Sequence, residues 1–92
     1  MADEKSIFTY GDGFVDIQLR TGITVAGVKV SAVRMREPTV RDQRAMAKGE
    51  GTDADREVEF FANLCGILPT ELNDMTGKDY SRLQKGFLGF PD

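Results

Sequence analysis

The spacing of apolar residues changes once along the chain, at Glu37-Pro38. Before this point Val, Ile and Thr alternate with polar residues, which is typical of half-buried strands. After it apolar residues recur every three or four positions, which is typical of amphipathic helices. The sequence therefore predicts an α+β fold in a single domain, residues 1–92, with a β-rich half (1–36) and a helical half (37–92).

Turn signals divide the β-rich half into about three to four short strands, which we expect to form an antiparallel sheet within residues 7–36. Gly11-Asp12-Gly13 lies between two β-prone runs and predicts a hairpin turn. Thr21-Gly22 and Gly27 predict two further turns.

The last predicted strand contains a break in its alternation. Val28 and Val30 share one face, whereas Val33 and Met35 are the inward candidates further on. A pleated strand changes face only through an extra residue or a bend, so we expect a β-bulge or a break near Ser31-Ala32.

Each predicted helix follows a threonine that precedes an aspartate by three residues, the spacing of a capping box. A short helical turn is also expected at Pro69-Thr70-Glu71-Leu72. The apolar helix faces should pack on the inward face of the second strand. The predicted helices are 40–48, capped by Thr39 and Asp42, 54–65, capped by Thr52 and Asp55, and 77–88, capped by Thr76 and Asp79. In the predicted core, Phe61, Leu64, Leu83 and Phe87 of the helices pack against Val15, Ile17 and Leu19 of the second strand.

The composition of the 92-residue chain favours a small globular protein, with 40% apolar and 29% charged residues. A single cysteine excludes an internal disulfide, and we expect neither a signal peptide nor a transmembrane segment. The net charge of −3 argues against general attraction to nucleic acid or membrane. The bacterial cytoplasm is the expected location.

Candidate chemistry is sparse. With no histidine in the chain to activate it, Cys65 on an apolar helix stripe is better interpreted as a small buried residue than as a nucleophile. Asp53, Asp55 and Glu57 lack the glycine of a calcium loop and suit the first turn of a helix. Gly49-Glu50-Gly51 is not a phosphate loop. The sequence therefore predicts no catalytic residue, metal site or cofactor, and a binding protein, not an enzyme.

Four arginines form the one basic concentration: Arg34, Arg36, Arg41 and Arg44. Three interpretations stay open: a nucleic-acid contact, a solvated face with internal ion pairs, and a protein-binding patch. The acidic chain and the lack of interleaved aromatic residues count against nucleic acid.

Several motifs stand in a characteristic order from Val15 to Phe90. They are Val15-x-Ile17-x-Leu19, Gly27, Val33-Arg34-Met35-Arg36-Glu37-Pro38-Thr39-x-x-Asp42, Leu64-Cys65-Gly66-Ile67, Leu72-x-x-Met75-Thr76-x-x-Asp79-Tyr80-x-x-Leu83, and Gly89-Phe90. This order resembles the tail assembly chaperones of contractile-tailed, Mu-like phages. One departure is Thr21-Gly22, where such proteins often have a proline after the first strand.

The resemblance implies a role in phage or prophage tail morphogenesis in the host cytoplasm. Such chaperones are thought to keep the long, helical tape-measure protein soluble until tube subunits polymerise around it, and to be absent from the finished tail. The tail tube protein and a longer, frameshifted form of the chain are further possible partners. We expect the partner-binding surface at Arg34, Arg36, Glu37 and Arg41. Alternative functions are a small structural component of the tail or baseplate, and a nucleic-acid-binding regulator.

Overall fold

The computed structural model describes residues 7–91, in which three strands precede four helices. This arrangement confirms the predicted α+β fold, with the sheet at the N-terminal side and the helices after it. The elements are β1 (Phe8–Gly11), β2 (Phe14–Val25), β3 (Val28–Arg36), α1 (Val40–Lys48), α2 (Asp53–Cys65), α3 (Pro69–Asn73) and α4 (Gly77–Leu88).

The sheet is antiparallel with β2 between β1 and β3. The predicted hairpin at Gly11-Asp12-Gly13 is confirmed, since β1 and β2 pair directly across it. Ala26 and Gly27 both have positive φ and form the tight turn between β2 and β3. The predicted turn at Thr21-Gly22 is wrong, because β2 continues through these residues and pairs with β3 on both sides of them.

The predicted irregularity near Ser31 is confirmed, but its extra residues belong to β2. The register passes from Gln18 opposite Ala32 to Ile23 opposite Val30, so residues 19–22 all stand opposite Ser31. Four residues of β2 thus stand opposite one residue of β3 in this bulge. The bulge changes which face of β3 is directed at the core, as the sequence pattern required. Buried side chains therefore lie on both sides of the bulge.

The three predicted helices have the predicted bounds to within one residue. Thr39 with Asp42 and Thr52 with Asp55 form complete capping boxes, in which each aspartate also accepts from the backbone N–H of its threonine. At α4 only half of the box forms. Thr76 accepts from the backbone N–H of Asp79, while the Asp79 carboxylate turns away toward β2.

The Asp79 carboxylate holds α4 against the bulge. It is fully buried and accepts backbone N–H groups from Arg20 at 2.6 Å, Thr21 at 2.9 Å and Gly22 at 3.2 Å. These amides lie where the ladder between β2 and β3 is interrupted, so the helix supplies the acceptors that the ladder lacks there. A buried carboxylate with three donors is a strong tertiary contact.

The apolar core forms one cluster between the sheet and the helices. The helix α4 packs on β2, α2 packs on β3, and α3 contacts both α2 and β2. Phe87 was predicted to be a core residue but is only half-buried, at the edge of the cluster. The buried apolar residues are Val15, Ile17, Leu19, Ile23, Val33, Met35, Phe60, Phe61, Ala62, Leu64, Leu72, Met75 and Leu83.

Helix α1 is attached differently from the others. It packs on α2, and its one buried residue is the charged Asp42, whereas Met46 is half-buried and Val40 is exposed. Polar contacts of Asp42 therefore hold the start of this helix. The rest of the helix lies against α2 at the surface of the protein and is called the rim helix below.

Candidate functional site

The structure gives two of the predicted partner-binding residues intramolecular partners. The Arg34 guanidinium donates to both carboxylate oxygens of Asp16, at 2.7 and 3.0 Å, and lies 3.9 Å from the centre of the Phe14 ring. The Arg36 guanidinium donates to both oxygens of Asp42, at 2.6 and 2.9 Å. Bidentate pairs of this kind fix side-chain orientation.

The pair of Arg36 and Asp42 is the centre of a small polar network at the start of α1. Asp42 also accepts from the backbone N–H of Thr39 at 2.8 Å and from the side-chain amide of Asn63 at 3.2 Å. The Arg36 guanidinium, followed by the Thr39 N–H, holds the pKa of Asp42 well below its ordinary range. The network thus joins the end of β3, α1 and α2.

Glu37 and Arg41 are exposed. The side chain of Arg41 makes no hydrogen bond or ion pair with any residue in 7–91, and Glu37 is held only through its backbone N–H, which donates to the carbonyl of Gly13 at 2.9 Å. The four predicted residues therefore divide into two that are paired and two that are exposed. Partner binding at this surface stays a prediction.

A groove between α1, α2 and α4 has a mainly apolar lining and a volume of about 460 Å³. This is within the range of sites that bind ligands or partner side chains. Its polar lining consists of Gln43, Glu57 and Gln84, and its apolar lining consists of Met46, Phe60, Phe61, Phe87 and Leu88.

Aromatic rings form the floor of the groove. The ring of Phe87 lies 5.6 Å from that of Phe60 and 5.5 Å from that of Phe61, centroid to centroid. These rings bridge α2 and α4 and leave the groove above them. Leu88, next to Phe87, is 81% exposed, a large apolar side chain in water at the edge of the groove.

Sequence reasoning missed this groove. The helix patterns assigned Phe61 and Phe87 to the core but left Phe60 without a role. The available signal was the doublet Phe87-Leu88, since consecutive residues on a helix point in different directions. In the structure Phe87 is half-buried and Leu88 is exposed, whereas Phe60 and Phe61 are both buried.

Glu57 is the one charged residue that lines the groove. Its Oε1 accepts from the Tyr80 hydroxyl at 2.7 Å and from the Gln84 side-chain amide at 2.9 Å. Burial, together with the Glu57 carboxylate, raises the pKa of the Tyr80 hydroxyl, which stays a proton donor at neutral pH. The carboxylate is thus held in a defined orientation at the wall of the groove.

The candidate chemistry of the sequence concerned one thiol and several acidic side chains. Burial raises the pKa of Cys65 to about 12, so the thiol is protonated at neutral pH. Among residues 7–91, no cluster of His, Cys, Asp or Glu side chains is arranged to hold a metal ion. In the same residues, no helix has the length and apolar character needed to cross a membrane.

Comparison with known protein families identifies the family of the chain. Residues 16–91 match the family model described as "Phage tail assembly chaperone proteins, E, or 41 or 14". The match begins within β2 and covers β3 and the four helices described in residues 7–91, and therefore includes the groove and the Asp42 network. No curated protein and no solved structure matches the chain.

Proposed function

The chain belongs to the phage tail assembly chaperone family, and we propose that it is a non-catalytic binding protein that keeps the tape-measure protein soluble during tail assembly. The observation that carries the proposal is the apolar groove with exposed Leu88 at its edge. A large exposed apolar residue beside an apolar groove is typical of an interaction surface. A chaperone needs such a surface to cover apolar segments of its partner reversibly.

The proposal includes a location and a time of action. The protein acts in the host bacterial cytoplasm, in a phage or prophage of the contractile-tailed, Mu-like kind, and leaves before the tail is complete. Its interaction with the tape-measure protein is then transient. An interface formed largely by one groove and one rim helix suits such exchange better than a large obligate interface.

The direct test is co-expression with the tape-measure protein encoded by the same phage. We expect the tape-measure protein to be mainly insoluble alone, and to move to the soluble fraction and co-purify when this chain is present. A tape-measure protein that is equally insoluble with and without the chain would refute the proposal.

The alternative, a structural component of the tail or baseplate, makes the opposite prediction for finished particles. Mass spectrometry of purified tails should detect the tube and tape-measure proteins but not this chain if it is a chaperone. Detection at a fixed ratio to the tube protein would identify a structural subunit instead.

A further inference from the structure

The lining of the groove has a regular helical spacing. Each helix contributes residues that lie one turn apart, so each presents a single stripe to the groove. These are Gln43 and Met46 from α1, Glu57, Phe60 and Phe61 from α2, and Gln84, Phe87 and Leu88 from α4. The ridges of another helix can interdigitate with such stripes.

The same lining argues against an extended segment as the occupant. A strand binds by pairing its backbone with the open edge of a sheet. All eight lining residues belong to helices, whose backbone groups are already hydrogen-bonded within the helix. The groove offers side chains and no backbone ladder, which selects a helix with its own backbone satisfied.

The charge of the lining specifies the occupant further. None of the ion pairs among residues 7–91 includes Glu57, a half-buried residue whose carboxylate is oriented by Tyr80 and Gln84. An occupant that covered the groove with apolar side chains alone would bury this carboxylate without a cation, which is costly. A lysine or arginine beside the apolar stripe removes that cost.

We propose that the groove is the docking site for an amphipathic helix of a partner protein, with a lysine or arginine beside its apolar stripe that pairs with Glu57. The apolar stripe contacts Phe60, Phe87 and Leu88. This inference rests on the proposed function and defines the chemistry of the partner segment that the chaperone selects.

The test uses two synthetic helical peptides with the same leucine stripe and helical content. One carries lysines beside the stripe, and its twin carries glutamates at the same positions. Fluorescence anisotropy with the full chain should show the lysine peptide binding about tenfold or more tightly than its twin. The variant Glu57→Gln should remove most of this preference, whereas Glu59→Gln, on the same helix but outside the groove, should keep it.

The apolar contact is tested with Leu88→Asp. Because Leu88 is 81% exposed, this change should leave the melting temperature unchanged. It should, however, lower the affinity of the protein for the lysine peptide by about tenfold or more. The matched control is Leu68→Asp. Leu68 is 61% exposed and lies just before α3, outside the groove, so its variant should bind as the parent does.

The inference would be overturned if the parent bound both peptides with equal affinity, or if Leu88→Asp bound the lysine peptide as tightly as the parent does. It would also be overturned if Leu68→Asp weakened binding of the lysine peptide as much as Leu88→Asp does. A second copy of the chain would be the occupant if the parent were a dimer, Leu88→Asp were a monomer, and neither protein bound a peptide.

Co-expression separates this inference from the proposed function. If the parent and Leu88→Asp both solubilise the tape-measure protein, the groove is not the site and the chaperone function stands. If the parent does not solubilise it, the function fails whatever the peptides do.

Discussion

Replacing Asp79 by asparagine tests how the helices are held on the sheet. Asparagine has nearly the same shape, but one carboxylate oxygen becomes an NH₂ group, which donates and does not accept. In the parent Oδ1 accepts from Arg20, and Oδ2 accepts from both Thr21 and Gly22. Whichever way the amide is turned, at least one backbone N–H in the bulge then faces another donor.

The expected cost follows from the burial of the site. Hydrogen bonds to a charged group contribute about 1.5–3 kcal/mol each, and a buried donor left without an acceptor costs about 1–3 kcal/mol. Since these terms are not independent, we expect Asp79→Asn to lower the free energy of unfolding by about 3–5 kcal/mol. This is a large part of the roughly 5–15 kcal/mol typical of a domain. At about 4–8 °C per kcal/mol for a chain of this size, the melting temperature should fall by about 12 °C or more.

The measurement is urea unfolding followed by circular dichroism at pH 7, with Asp55→Asn as the matched control. Asp55 occupies the same position after Thr52 that Asp79 occupies after Thr76, but it is exposed and contacts only its own helix start. Asp55→Asn should lower the free energy of unfolding much less than Asp79→Asn. An equal decrease in the two variants would show that Asp79 stabilises the protein only as a local helix cap and would refute its role in holding α4 on the sheet.

The same contact predicts a pH dependence. Burial opposes ionisation of Asp79, but the three backbone N–H donors and the nearby Arg82 outweigh it and keep the pKa below its ordinary value. A carboxyl group with a lower pKa in the folded state adds stability above its unfolded pKa of about 3.9, and this is lost as the pH falls through the folded value. The free energy of unfolding should therefore fall below about pH 4 in the parent, and less steeply in Asp79→Asn. Parallel pH profiles for the two proteins would contradict this reasoning.

Three further predictions concern the edge of the core, the bulge and the arginines. Because Phe87 is half-buried, Phe87→Ala should lower the free energy of unfolding, measured in urea, by about 2–3 kcal/mol. The same change at a fully buried phenylalanine costs roughly 3–5 kcal/mol. A decrease near 5 kcal/mol would contradict the position of Phe87 at the edge of the core. Gly22 and Gly27 both have positive φ, but only at Gly22 would an added Cβ lie 2.6 Å from a backbone oxygen of β3. Gly22→Ala should therefore cost about 1–3 kcal/mol more than Gly27→Ala, and equal midpoints would show that the bulge adapts. Arg41→Glu should leave the melting temperature unchanged, whereas Arg36→Glu should lower it. Only Arg41→Glu therefore tests partner binding without changing stability. Co-purification of the tape-measure protein with Arg41→Glu at parental yield would exclude Arg41 from the interface.

The local features of the fold could be predicted because neighbouring residues determine them. The change from period two to period three or four at Pro38 separated the sheet from the helices. The threonine–aspartate spacing located the start of α1, α2 and α4, since a cap forms within a few residues. The alternation of β3 also required an irregularity near Ser31, which the structure contains.

What only the tertiary structure decided involves residues far apart in the sequence. Thr21-Gly22 has the composition of a turn, yet it lies within β2, because β3 pairs on both sides of it and the Asp79 carboxylate, 57–58 residues away, accepts its amides. The spacing after Thr76 predicts a cap and cannot show that Asp79 turns to β2 instead. The groove likewise exists only because α2 and α4 meet through the rings of Phe60, Phe61 and Phe87, leaving Leu88 exposed. The sequence by itself determined where strands and helices form, through contacts within one or two turns. Which carboxylate reaches which backbone, and which apolar side chain stays in water, depended on packing between elements that no local spacing encodes.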